Sequence, residues 1–377
     1  RWLSDWSSDV CSSDLKCIMD FTELLNIKPY SLNKKDKEAF FSPFLTKLTR
    51  HHYDNCPEFK KMMDSIGFKY HKEYNYTELP FLPVRLFKMF DLLSINKDEV
   101  IKTMTSSGTS GQAVSRIYLD RETAANQTKV LTKIVSSFIG KQRIPMIIID
   151  TEAVVKNRSL FSARGAGILG FSLFGSKRIY ALNEEMELNT ELIIEFLEKH
   201  KNERIFLFGF TFMIWQHFYK QLIEKGIKLD LSKVVLIHGG GWKKLITESV
   251  SSNDFKEKLN NVCGIKHVHD YYGMVEQTGS IYMECEKGYL HTSVFSDVII
   301  RRALDFSIAD IDEKGIIQLL SVLPYSYPGH SLLTEDEGIL LGEDDCSCGR
   351  LGKYFKIVGR LKNAEIRGCS DTYAEKF

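Results

Sequence analysis

Three stretches of this 377-residue chain bring together side chains that could do chemistry. In TMTSSGTSGQAVSRIYLD (103–120), Ser106, Ser107, Gly108, Thr109, Ser110 and Gly111 set hydroxyls beside unhindered backbone N–H groups. Such a loop can direct its donors at phosphate oxygens. The same composition also makes a polar turn between strands. GxxxxGK[ST] is absent, so the stretch is not a Walker loop. In HGGGWKK (238–244), Gly239, Gly240 and Gly241 let backbone approach a flat ligand, because glycine has no Cβ. His238, Lys243 and Lys244 are candidate cations there; a capped helix start with solvated lysines is the alternative. The third set is Cys285 and His291 in ECEKGYLH with Cys346 and Cys348 in DDCSCGR. Two converging turns would give Cys₃His, a donor set of structural zinc that leaves no open position for catalysis. Reduced surface cysteines are the alternative.

Those groups need elements to hold them. IPMIIID (144–150), RIFLFGF (204–210) and KVVLIHGGG (233–241) predict strands, with helical patterns at 189–201 and 211–226 between them. The alternation predicts an α/β sheet with helices on both faces. Ligands bind such sheets at the carboxyl ends of strands. Asp120 is placed to cap a helix running to about Gly140. SLNKKDKE onwards predicts two helices, opened by a Ser31 cap and broken by a turn near Asn55-Cys56-Pro57. LPFLPVRLFK reads as an extended connector. From about Tyr282, short strands and turns predict a small β-rich subdomain. His267 and His269 alternate on one strand face and read as core or rim histidines rather than metal ligands.

Composition narrows the function class. Lys+Arg 50 against Asp+Glu 49 leaves +1, which offers no bulk attraction for nucleic acid or an anionic membrane. No apolar run reaches the ~20 residues of a membrane span. Eight cysteines are too sparse for a disulfide scaffold, so reduced thiols in a cytoplasm are expected. RWLSDWSSDVCSSDL (1–15) is self-similar and has no signal-peptide pattern; it reads as a non-native, adapter-like segment, with Met19 a natural start. The length exceeds the roughly 250–300 residues at which one core stops growing, so subdomains are expected.

SSGTSGQ resembles the Ser/Thr/Gly-rich phosphate loop of adenylate-forming enzymes. Segments similar to that superfamily's later motifs follow in order: YYGMVEQ (271–277), LLTEDEG (332–338) and VGRLKNAEIRG (358–368). HGGGWKK and AEIRGCSDT (364–372) look like those of LuxE-type acyl-protein synthetases. The resemblance implies an α/β fold of the adenylate-forming large-domain type, with βα subdomains, a small β-rich subdomain and no full C-terminal swinging domain. It divides the chain into an α/β core (16–281), a β-rich subdomain (282–357) and a hinge with a C-terminal tail (358–377).

The implied substrates are a fatty or related carboxylic acid and ATP, with Mg²⁺. Residues 106–111 would clasp phosphates, while Gly239 to Gly241, Tyr271, Tyr272 and Gly273 would flank adenine. Glu276 would hold Mg²⁺, Asp336 the ribose hydroxyls, and Arg360 ribose or phosphate. Cys369 would carry the acyl group as a thioester, with Arg367 lowering its pKa, for delivery to an acyl reductase (LuxC-like) partner. SARGAGILGFSLFG (162–175) would line an acyl tunnel or simply pack as a helix. Two departures stand out. The lysine that usually closes the phosphate loop is missing, which makes Arg116 a candidate substitute, and Thr334-Glu335-Asp336 lacks its central glycine. The alternatives are an acyl- or aryl-CoA ligase related to phenylacetate–CoA ligase, whose chains resemble the CxCGR element, and a non-catalytic nucleotide- or acyl-binding subunit.

Overall fold

The computed structural model describes residues 21–106, 113–156, 163–242 and 249–361. Its strands are β1 (Leu82–Pro83), β2 (Lys102–Thr105), β3 (Arg116–Leu119), β4 (Ile144–Ile148), β5 (Gly175–Tyr180), β6 (Ile205–Phe210), β7 (Val234–Gly239), β8 (His267–Tyr272), β9 (Tyr282–Glu284), β10 (Leu290–His291), β11 (Ser296–Arg301), β12 (Lys314–Ser321), β13 (Ser331–Glu343) and β14 (Lys353–Arg360). Among the described residues, β2 and β3 form a hairpin of their own. The others share one sheet in the order β11-β12-β13-β14-β10-β9-β8-β7-β6-β4-β5, with β1 beside β13. Strands β4 to β8 pair in parallel. From β8 to β11 the main path is antiparallel.

β6 (IFLFGF) and β7 (VVLIHG) are buried at every position, as parallel strands covered on both faces must be. The Arg121–Ile139 helix begins where Asp120 accepts the Thr123 N–H at 2.8 Å and stops at Gly140, whose φ is +95°. Its Val130, Ile134, Val135 and Phe138 recur at helical spacing and enter the main core. The Thr190–Lys199 helix starts at Asn189 in the same way and buries Ile193 and Phe196.

Three expectations change. The Lys34–Asn55 helix is capped by Asn33, which accepts the Asp36 N–H at 3.0 Å, while Ser31 donates to the Lys28 carbonyl. The connector at 79–88 forms β1 and runs into a short Leu86–Met89 helix. The 211–226 helix contains a π segment, Ile214–Tyr219, across which Trp215 stacks on Tyr219 at 4.5 Å. The β-rich region joins the parallel strands at its first strand, where β9 pairs antiparallel with β8.

The antiparallel strands enclose a small apolar cluster of Tyr282, Leu290, Val298, Ile300, Ala309, Ile317, Leu319 and Phe355. Buried charge ties this region to the Lys34–Asn55 helix. Asp297 lies 3.6 Å from Lys37 Nζ and 3.4 Å from Lys353 Nζ, all three nearly inaccessible. Lys37 also donates to Ser296 O and Lys353 to Val298 O, so the ammonium groups are not left bare. No helix among the described residues is long and apolar enough to cross a membrane.

Candidate active site

The β2–β3 hairpin closes the base of the Ser/Gly loop. Thr105 pairs with Arg116, the Ser106 N–H donates to Ser115 O at 3.1 Å, and the Ser115 N–H donates to Ser106 Oγ at 2.9 Å. Ser107, Gly108, Thr109, Ser110 and Gly111 lie outside the described residues. Ser115 is fully buried, and its hydroxyl lies beside the carboxyl group of Glu276. Glu276 occupies a single 3₁₀ turn, Val275–Gln277, and is 4% exposed. Gln277 anchors that turn by donating to Leu319 O and Gly329 O. Burial pushes the Glu276 pKa up, and the Ser115 hydroxyl opposes the shift. Arg85, Arg116 and Arg360 are engaged by other acids: Glu335, Asp91, and the Glu335–Asp336 pair. A buried carboxylate whose neighbour is a hydroxyl suits a divalent cation, the usual companion of buried acids in phosphate sites.

Arg116 is not part of this cluster. Alternation along β3 sets it on the face opposite Ser115, and Asp91 accepts from its Nε at 2.7 Å and from Tyr118 at 2.7 Å. Its expected role as the missing loop cation therefore conflicts with its strand position.

On the other side, the Tyr272 hydroxyl donates to Asp336 Oδ2 at 2.7 Å, and Arg360 Nε lies 3.2 Å from Asp336 Oδ1. Register makes this meeting: Asp336 is paired directly with Arg360 across β13 and β14. Thr334 Oγ accepts the Asp336 N–H at 3.1 Å and fixes the backbone. Glu335 stands where the related motif has glycine, and its carboxylate lies 3.2 Å from Arg360 Nη2 and 3.4 Å from Arg85 Nε. A carboxylate has about four acceptor sites, so Asp336 keeps capacity for ribose hydroxyls after these two contacts.

The carboxyl ends of β7 and β8 adjoin Tyr272, Gly239 pairing with Tyr271. A Cβ on Gly239 would stand 2.6 Å from the Tyr271 ring, and one on Gly240, at φ +87°, 2.8 Å from Phe210. Glycine there lets both rings lie against backbone; Gly241, at φ +62°, continues the bend. Gly273 follows Tyr272 directly and packs toward Ile281. Tyr271 is partly buried against the main core, 5.0 Å from Phe171, so it shapes the slot from below.

His238 is not a cation here. It is buried, its Nδ1 lies 2.9 Å from Thr211 Oγ, and burial pushes its pKa down to about 3. Lys243, Lys244, Arg367 and Cys369 lie outside the described residues. His269 is satisfied by Glu284 O at 2.9 Å, and His267 is exposed. The 162–175 stretch forms a helix, Ala163–Ser172, in which Gly167 receives the Phe210 ring and buried Arg164 meets Asp150 at 3.1 Å. Cys285, His291, Cys346 and Cys348 do come together, their ligand atoms all within 4.8 Å of one another. Sequence reasoning missed Ser115, Asp91 and Glu335. Only Glu335 left a signal, as a charged residue in place of a glycine.

Fold and site together are a parallel sheet feeding glycine-rich strand ends, continued by an antiparallel part that supplies a Tyr–Asp–Arg set. A crystal structure of 2-hydroxyisobutyryl-CoA ligase in an open conformation, in complex with 2-HIB-AMP and CoA, is similar to this chain with a TM-score of 0.67. Identity is 13%, and the match covers 89% of this chain and 77% of that one. The same ligase in its thioesterification state gives 0.67 over 90% of this chain and 72% of its own. At such identity the likeness is one of fold. The chain belongs to the LuxE family of acyl-protein synthetases, whose family model matches residues 8–377. Two relatives are named long-chain-fatty-acid–luciferin-component ligase. That of Vibrio harveyi is 22% identical over 358 residues, covering 93% of this chain and 91% of the relative. That of Aliivibrio fischeri is 25% identical over 307 residues, covering 78% and 77%.

Proposed function

We propose that the enzyme uses ATP to activate a fatty or related carboxylic acid as acyl-AMP, then holds the acyl group as a thioester on Cys369 for an acyl reductase. The observation that carries the reading is the joining of Asp336 to both Tyr272 and Arg360 beside the glycine-lined ends of β7 and β8. Family membership and the relatives' names support the fatty-acid substrate.

In the first step a carboxylate oxygen attacks the α-phosphorus of ATP; the bond to pyrophosphate breaks and pyrophosphate leaves. In the second, the Cys369 thiolate attacks the acyl carbonyl; the carbonyl–oxygen bond to AMP breaks and AMP leaves. The protein's part is alignment and charge neutralisation. Asp336 accepts the ribose hydroxyls while Tyr272 and Arg360 hold it in place. The loop based on Ser106 and Ser115 offers N–H and hydroxyl donors to the phosphates. Glu276 would hold Mg²⁺, whose positive charge would offset that of the phosphates.

The test is incubation with labelled fatty acid, ATP and Mg²⁺ without CoA. Label should stay on the chain, be released by hydroxylamine and be absent in Cys369→Ala. Free acyl-AMP with no retained label would refute the covalent step, and CoA-dependent release would make the chain a CoA ligase. A chain that releases no pyrophosphate with any acid would be a binding subunit instead.

A further inference from the structure

The Cys–His cluster lies away from the nucleotide groups, and its two halves are built alike. In the turn from Cys285 to Gly288, the Gly288 N–H donates to Cys285 O at 3.0 Å and the Lys287 N–H points at Cys285 Sγ at 3.4 Å. In the turn from Cys346 to Gly349, the Gly349 N–H donates to Cys346 O at 2.9 Å, and the Arg350 N–H points at Cys348 Sγ at 3.5 Å. Both glycines have positive φ, +82° and +80°. Each segment thus aims a backbone donor at one of the sulfurs, Cys285 in the first and Cys348 in the second.

His291 completes the set. It lies on β10, where it pairs with Tyr354 of β14; the Tyr354 ring stacks on the imidazole at 5.6 Å. His291 Nε2 is 3.5 Å from Cys348 Sγ. Tetrahedral zinc, with Zn–S near 2.3 Å and Zn–N near 2.0–2.1 Å, requires S···N edges of roughly 3.5 Å and S···S edges of roughly 3.8 Å. The observed upper limit of 4.8 Å is within about 1 Å of that geometry. The three cysteines are free rather than bridged. Arg350, whose guanidinium pairs with both oxygens of Glu286, links the two turns from outside and lies beside the sulfurs. It would offset the single negative charge of three thiolates around Zn²⁺.

We propose that Cys285, His291, Cys346 and Cys348 bind one zinc ion as a closed Cys₃His site that clamps the β9–β10 turn to the β13–β14 turn. Three thiolates and an imidazole select a soft, tetrahedral ion and discriminate against Mg²⁺ and Ca²⁺. Four protein ligands leave no position for substrate, so the ion is structural. The clamp also holds the segment from Tyr30 to Lys34: the Leu351 N–H donates to Tyr30 O, and Asp344 accepts the Lys34 N–H.

The test is metal analysis of the full chain, purified without a polyhistidine tag. About one zinc per chain is expected. Cys348→Ser and Cys346→Ser should lose it, and Cys263→Ser, a buried thiol on another helix, should keep it. Replacement by Co²⁺ should give thiolate-to-cobalt charge-transfer absorption. If the serine variants fail to fold, the parent chain decides: a mercurial titration should release the zinc as three thiols react. A parent chain that stays metal-free after dialysis against zinc would overturn the proposal. So would iron or copper in its place, or a disulfide among the three cysteines.

Discussion

β6 and β7 bury nothing but apolar side chains, glycine and one neutral histidine, whereas the antiparallel strands bury Asp297, Lys353, Arg301 and Gln318 among theirs. The parallel half is held by apolar area and presents its working groups at strand ends, where backbone and glycine shape the slot. The antiparallel half has a smaller apolar cluster and depends on polar pairs that work only when complete, such as Lys37–Asp297–Lys353. It also supplies Asp336 from within β13, paired with Arg360 at the last position of β14. The lesson is that one sheet can carry two kinds of stability, and that the groups proposed to hold the nucleotide come from both sides of the junction.

The strongest way to break this contrast is Asp297→Ala. Leaving two lysines buried without their acid should cost about 3–5 kcal/mol, read as a shift in the urea midpoint. Leu236→Ala on β7 should cost a comparable 2–5 kcal/mol through the cavity it leaves. A zinc chelator should then lower the melting temperature of the Leu236 variant as much as that of the parent. Equal sensitivity would place the metal's contribution in the antiparallel half. Glu276→Gln keeps the shape and removes the charge, so folding should hold or improve while ATP–pyrophosphate exchange falls roughly 10²-fold or more. A variant that exchanges at the parent's rate would remove Glu276 from the Mg²⁺ site.

Smaller effects follow from the buried histidines. His238 and His330 are pushed down to about 3 by burial, and His52 also lies well below its ordinary value. Unfolded histidine takes up its proton near pH 6.5, so these groups stabilise the fold fully above that pH. Stability should fall as pH drops from about 6.5 toward 3, by up to about 1.4 kcal/mol per pH unit for each histidine. His330→Gln should flatten the slope, measured as urea midpoint against pH; an unchanged slope would mean that His330 titrates normally. Least of all, Arg116→Ala should leave both melting temperature and exchange near the parent's values, because its partner is the exposed Asp91. A large drop in exchange would show that Arg116 leaves Asp91 for the phosphates.

Much of the parallel half was legible because its signals are local. Asp120 and Gly140 bracket their helix by capping chemistry alone, and the apolar runs of β6 and β7 need no partner to be recognised. The Cys–His set was legible from residue type and spacing. What could not be read is what depends on register between distant strands. Tyr272, Asp336 and Arg360 were each identifiable, but their hydrogen-bonded union follows from β13 pairing with β14 through two irregularities, at Glu337/Gly338 and Leu340/Gly342. The Arg116–Asp91 pair likewise needs a fold in which the β2–β3 hairpin meets the loop before it. The β-rich region was legible from its short, frequent turns, but its junction with the parallel strands needs the β8–β9 pairing to be seen.

The position of β14 has a consequence for how the chain is made. It lies between β10 and β13, inside the antiparallel half, yet it follows every other strand of the described residues in the sequence. During synthesis the parallel half can close early, while β10 and β13 each wait with an open edge until Lys353–Arg360 leaves the ribosome. Open edges are templates for pairing with other chains. A nascent chain stalled before Lys353 should therefore associate with its neighbours, and a chaperone that covers β10 and β13 in that interval would raise the yield of folded enzyme.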